Sequence, residues 1–206
     1  MSTCRTAIAL AWDKLAPLDP ESVAGAGKIQ YRAGRFEVLF LADTYIVDGK
    51  NQEVRRDKTK TGDYISILIL HYLTGVKDIP LSGKMLSFKD IPAGRFYFPA
   101  FRQRSLQPLL EAFGNHPEDL FDAGEALLAE KIAQGDAGIS VKVFPKLPLS
   151  LVVWKGDEEL PAEATILFDA TAPQILPTED ISAAAGMLVG RLVRESQGKS
   201  SSGPKT

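Results

Sequence analysis

The stretch from Val141 to Asp169, VKVFPKLPLSLVVWKGDEELPAEATILFD, constrains the fold most, because three apolar runs follow one another with only proline and one acidic turn between them. Leu149, Leu151 and Val153 alternate with Ser150, Val152 and Trp154. Period-two alternation places successive side chains on opposite faces of a strand. Lys155-Gly156-Asp157 breaks the run, and Ile166, Leu167 and Phe168 resume it. The pattern predicts a β-hairpin with its loop over Glu158 to Glu163. Asp157, Glu158 and Glu159 then stand together at the loop, and Asp169 ends the returning strand. Adjacent carboxylates repel one another unless solvated or held near a cation or guanidinium. The tip is therefore either a solvated turn or one side of a ligand or cation site.

Upstream, Ile8, Ala11, Trp12 and Leu15 share a helical stripe that Pro17 and Pro20 end. From Lys28 to Asp48 short apolar pieces (Ile29 and Tyr31; Phe36, Val38 and Phe40; Tyr45 and Val47) are divided by Ala33-Gly34 and Ala42-Asp43, as in an antiparallel meander. The charged segment Lys50 to Lys60 is expected as an exposed loop. Asp63 is the expected cap of a helix to Thr74, apolar nearly all round and so buried. His71 on it is either a hydrogen-bonded structural histidine or a metal or tetrapyrrole ligand. Leu81 to Tyr97 is expected as turns and short strands, followed by a helix through Leu106, Leu109, Leu110 and Phe113. Another helix starts at Pro117, with Leu120, Gly124, Leu127, Leu128 and Ile132 as its stripe and Gly135 as its stop. Pro177 and Thr178 introduce the last, where Ile181, Ala184, Ala185, Leu188 and Leu192 line one side. The expected fold is α+β, an N-terminal antiparallel meander and a C-terminal hairpin packed with about five helices. Residues 1–196 form one domain in this reading, and 197–206 a disordered tail.

With 24 basic and 26 acidic residues, the net charge of -2 lacks the basic excess of a nucleic-acid surface. The single cysteine, Cys4, excludes an intramolecular disulfide and any site built from several thiolates of this chain. It falls on the first helix's stripe, where it reads as a small core-facing residue. The apolar run Thr6 to Trp12 is broken by Asp13 and Lys14, so neither a signal peptide nor a membrane span is expected, and the cytoplasm is the expected compartment.

No G-x-S-x-G, Walker loop or calcium-loop spacing occurs. His71 and His116 have no flanking partner of catalytic geometry. Arg95, Arg102 and Arg104 are close in sequence and either bind a carboxylate or phosphate or pair with the acids of the hairpin.

Four segments carry a resemblance: LILHYLTG (Leu68 to Gly75), GKMLSFKDIPAGRFYFPAF (Gly83 to Phe101), the stretch Phe144 to Asp169, and LPTEDI (Leu176 to Ile181). Trp154, Gly156, Asp157, Glu158, Glu159, Pro161, Leu167, Phe168 and Asp169 are its most specific residues. Together the segments resemble an uncharacterised family of bacterial and archaeal domains of unknown function found largely in anaerobes. Some of its members look like iron–sulfur proteins through an added cysteine-rich segment, in company that suggests corrinoid or one-carbon metabolism. This chain lacks those cysteines, so the cluster-binding part does not transfer, and the resemblance implies no catalytic residue.

The leading expectation is a non-catalytic binding or accessory protein whose small anionic or metal-containing ligand, or partner protein, meets Arg95, Arg102, Arg104, Trp154, Asp157, Glu158, Glu159 and Asp169, with His71 as the candidate metal ligand. The rival is a hydrolase or lyase, possible metal assistance included, with Asp157, Glu158 or Asp169 as general base; it requires these groups to converge in a pocket with Arg102. A structural protein that assembles through the hairpin edge or the last helix is the third.

Overall fold

The computed structural model describes residues 3–200. The fold is α+β, with two five-stranded antiparallel sheets. The first is the meander β1 (Gln30–Arg32), β2 (Arg35–Phe40), β3 (Asp43–Asp48), β4 (Glu53–Arg56) and β5 (Thr59–Lys60), in sequence order. Its last hairpin replaces the expected loop of Lys50 to Lys60: charged side chains suit a short edge strand as well as a loop. The β1–β2 turn at Ala33-Gly34 and the β2–β3 turn at Leu41-Ala42 both have positive φ at their two central residues, the geometry of two-residue turns that match strand twist. Leu41 and Ala42 are not glycine, so the second turn is strained. It is held because Leu41 is buried and its N–H donates to the Val143 carbonyl at 3.0 Å.

The second sheet has the order β6 (Met85–Ser87), β10 (Glu163–Asp169), β9 (Leu147–Trp154), β8 (Ala137–Phe144), β7 (Glu130–Lys131). The expected hairpin is β9–β10, in register from Glu163 opposite Trp154 to Phe168 opposite Leu149. Leu149, Leu151 and Val153 are fully buried, and so is Val152 on the other face.

Helices α1 (Thr3–Leu15) and α2 (Pro20–Gly27) pack on α3 (Asp63–Gly75), with α1 to α3 the broadest of these contacts. α2 was not expected. Pro20 opens it at its first turn, and Asp19 caps it by accepting from the Ser22 N–H at 2.9 Å. The N-cap of α3 is Gly62 rather than Asp63. The region read as turns before residue 97 already contains α4 (Gly94–Phe101), which runs through a π-helical turn, Arg102–Leu106, into α5 (Gln107–Phe113). Gly94 allows this early start: a Cβ there would fall 1.8 Å from the Phe88 carbonyl oxygen. The π turn closes from the Gln107 N–H to the Arg102 carbonyl, directly before Pro108, which has no N–H to offer the α-helical ladder.

α6 (Asp119–Glu125) is shorter than its stripe implied. Leu128 turns left-handed at φ 53 and is exposed. Its N–H bonds the Glu125 carbonyl and that of Ala129 the Gly124 carbonyl, the paired bonds of a Schellman ending. A short α7 (Ala172–Ile175) precedes α8 (Thr178–Ser200). All five stripe residues of α8 are fully buried. The expected tail is corrected in part: residues 197–200 continue α8, and 201–206 lie outside the described residues.

Asp169, expected to face a ligand, is instead a buried staple. It accepts from the Ser82 N–H and hydroxyl (3.1 and 3.0 Å), the Gly83 N–H (2.8 Å), and the Thr171 N–H and hydroxyl (2.9 and 2.7 Å). These bonds fix the entry to β6 and the turn before α7 to the end of β10. Burial opposes its ionisation, but the hydrogen bonds outweigh burial and hold the carboxyl down at about 2, against 3.8 unperturbed. The folded state thus binds fewer protons there, so this contribution is full above about pH 4 and is lost as the pH falls towards 2. Asp169→Asn is expected to cost about 2–4 kcal/mol at pH 7 and to flatten the acid side of the stability profile, measured by urea unfolding across pH 2–7. Tyr72→Phe, which removes the bond to the Gly27 carbonyl and that from the Lys146 N–H, is expected to lower the urea midpoint by the equivalent of about 1–2 kcal/mol with unchanged slope.

Candidate functional site

The residues singled out in the sequence do not form one site. Trp154 is half-exposed and ends β9. Asp157, Glu158 and Glu159 are exposed in the β9–β10 loop. Asp157 organises that loop: its Oδ1 accepts from the N–H groups of Glu159 and Leu160, both at 2.8 Å, and these bonds lower its pKa. Gly156 is needed at the loop's mouth, where a Cβ would lie 2.6 Å from the Ala162 nitrogen. The loop's far side adjoins Gly114, whose Cβ would meet Ala162 at 3.0 Å. Ten residues of mostly α-helical rise, about 15 Å, separate Gly114 from Arg104.

Among the described residues no ion pair joins Arg95, Arg102 or Arg104 to the acids of the hairpin. Arg95 lines a shallow surface with Lys89 and Phe98, and Arg102 is exposed on the π turn. With Asp157 and Glu158 exposed and Asp169 enclosed by its own donors, the convergence an acid–base enzyme needs is not formed by these groups. His71 Nδ1 lies 2.6 Å from Asp180 Oδ2, tying α3 to the first turn of α8. No group of three or more His, Cys, Asp or Glu suited to a metal ion occurs among the described residues, so His71 has no donor set to join.

Of the earlier candidates, Arg104 lines a cleft between helices. This cleft, about 610 Å³, opens between the β2–β3 turn, the first turn of α3, the π turn and one face of α8. Arg56 from β4, Arg104 from the π turn, and Arg191 and Arg194 from α8 all line it, and Asp43 is its lining carboxylate. The strained turn places Leu41 in one wall and delivers Asp43 as the first residue of β3. Asp43 Oδ2 accepts from Arg56 Nη1 at 2.7 Å and from Arg191 Nη1 at 3.1 Å, and Arg191 Nε also donates to Glu195 Oε1 at 2.6 Å. The hydrogen bond to Asp43 raises the pKa of Arg56, and that to Glu195, followed by that to Asp43, outweighs burial at Arg191. Burial, then the Asp43 charge, pushes the Tyr45 phenol up. Arg104 and Arg194 are exposed, and among the described residues neither has a carboxylate partner.

Sequence reasoning missed Arg56, Arg191 and Arg194 as site residues. The first lay in a segment expected to be a loop, and the others lie on the last helix off the apolar stripe that was read there. Their one local signal was the pair of arginines one turn apart, following two glycines spaced by four, Gly186 and Gly190.

No helix among the described residues is long and apolar enough to cross a membrane. No curated protein and no solved structure matches the chain. The family model described as Domain of unknown function (DUF3786) matches residues 19–191, which takes in every strand of both sheets, the arginine cleft as far as Arg191, and the acidic hairpin. The chain therefore belongs to the DUF3786 family, a family of domains of unknown function.

Proposed function

We propose that the protein is a non-catalytic cytoplasmic binding module that holds a small anionic ligand in the cleft between the β2–β3 turn, α3 and α8. One observation carries this reading: four guanidinium groups line a cleft whose lining carboxylate is already shared by two of them. Arg104 and Arg194 keep unspent donors, and guanidinium forks match carboxylate and phosphate oxygens. The volume lies within the range of small-molecule sites. The lining carboxylate, Asp43, is already held by two guanidinium groups, so binding is better supported than acid–base turnover. Of the expected ligand residues Arg104 is retained, and the acidic hairpin and Trp154 are left outside. The association of the resembling family with corrinoid and one-carbon chemistry adds a corrinoid to the ligands to test.

The test is thermal shift and calorimetric titration with inorganic phosphate, di- and tricarboxylates, nucleotides and a corrinoid. A true ligand at a hundredfold excess over Kd is expected to add about 2.7 kcal/mol, or roughly 5–11 °C for a chain of this size. Arg104→Ala and Arg194→Ala are each expected to weaken it about tenfold or more, with little change in the unliganded Tm because no ion pair is lost. A wild-type protein unmoved by every anion, or binding undiminished in the double variant, would overturn the reading.

A further inference from the structure

Resting on the anion-site reading, we infer that the ligand is amphipathic: a carboxylate or phosphate head bound by Arg104 and Arg194, and an apolar body lying along α8. The arginines are one part of the cleft. Much of the rest is Leu41, Tyr64, Ile65, Ala183, Gly186 and Met187, surface that a bare inorganic anion would leave in water.

The glycines of α8 give the second argument. A glycine inside a helix costs about 0.5–1 kcal/mol relative to alanine, so two of them facing one cleft call for a reason. At Gly75 and Gly94 the reason is packing: a Cβ at Gly75 would fall 2.0 Å from the Ile175 carbonyl oxygen, and one at Gly94 would strike Phe88. At Gly186 the nearest atom to a Cβ is the Arg104 carbonyl oxygen at 3.5 Å, and at Gly190 it is Arg194 Nη1 at 3.8 Å. Both are ordinary contact distances, so packing does not require glycine at either position. What a side chain there would fill is the cleft.

The third argument is Tyr64, which is 70% exposed on the first turn of α3 and stands at the edge of the same space. An apolar body between Tyr64 and α8 would cover this ring, Ile65 and Met187 together, which burial favours by about 0.8 kcal/mol for each methylene removed from water.

The experiment is titration of the wild type with inorganic phosphate and with methyl, butyl, hexyl and octyl phosphates below their micelle concentrations, the matching carboxylates, and octanol as a neutral control. The expected result is affinity rising about three- to fourfold per methylene until the cleft is full, with octanol binding far more weakly than octyl phosphate. Gly186→Leu is expected to abolish the dependence on chain length; Gly186→Ala, whose Cβ fits, reduces the dependence. Retained Tm in both variants identifies the effect as local. Methyl and octyl phosphate binding equally through Arg104, or a chain-length series surviving Gly186→Leu, would overturn this inference and leave the anion site standing. No binding of any anion would overturn both.

Discussion

The molecule depends on the junction at Tyr72, where two separate antiparallel sheets become one core. Tyr72 stacks on Phe144 of β8 at 4.3 Å with the rings 6° from parallel, and Phe144 meets Phe40 of β2 at 4.7 Å. The phenol donates to the Gly27 carbonyl at the end of α2 and accepts from the Lys146 N–H in the β8–β9 turn. Burial raises the Tyr72 pKa well above the ordinary tyrosine value, with the Lys146 N–H only partly opposing it, so the ring keeps its proton and its role as donor. One fully buried side chain thus links α2, α3 and both sheets. A stacked aromatic pair contributes about 0.5–1.5 kcal/mol beyond its buried area, and the orphaned backbone groups add to the penalty of losing it.

That junction also sets the shape of the cleft. The bond from the Leu41 N–H to Val143 comes one residue before Phe144 in β8, so the strained β2–β3 turn is seated by the same contact that joins the sheets. Leu41-Ala42 can hold left-handed backbone without glycine because the surroundings over-determine it. On the opposite wall, His71 and Asp180 fix α3 to α8. Tyr64 lies seven residues before His71, about two helical turns, and Ser182 to Arg194 begin two residues after Asp180. One short polar contact just beyond the cleft thus ties the two helical walls together.

The sequence carried the fold where burial and periodicity agree. Leu149, Leu151 and Val153, and the stripe from Ile181 to Leu192, are fully buried as their spacing implied. It misled where a residue has two local meanings. Pro20 was read as a stop and is a helix start, because Asp19 before it caps the free N–H groups. Leu81 to Tyr97 was read as turns and short strands, yet a helix opens at Gly94, whose missing Cβ admits the Phe88 carbonyl, and Pro99 sits inside that helix. Leu127 and Leu128 continued an apolar stripe, but only Leu127 is buried; Leu128 is 74% exposed and turns the chain out of the helix. The cleft was scarcely legible. Arg56, Arg104 and Arg191 come from a strand, a π turn and a long helix far apart in the chain, and no spacing rule links them before the tertiary fold exists.

The charge arrangement of that cleft is the strongest argument that it binds rather than merely packs. Of its four guanidinium groups two share Asp43, and Arg191 is further matched by Glu195, so the surplus positive charge rests on Arg104 and Arg194. Like charges gathered in one concave surface repel one another and lower stability, whereas clefts of one sign focus the field and raise the local concentration of the opposite ion. The chain as a whole is slightly acidic at -2, so this is a local feature of the fold rather than a general basic surface. Sites that break a local rule without a structural compensation are where function is expected. In this cleft the helix glycines Gly186 and Gly190 break such a rule, at positions where a Cβ would fit, beside two exposed arginines that have no carboxylate partner among the described residues.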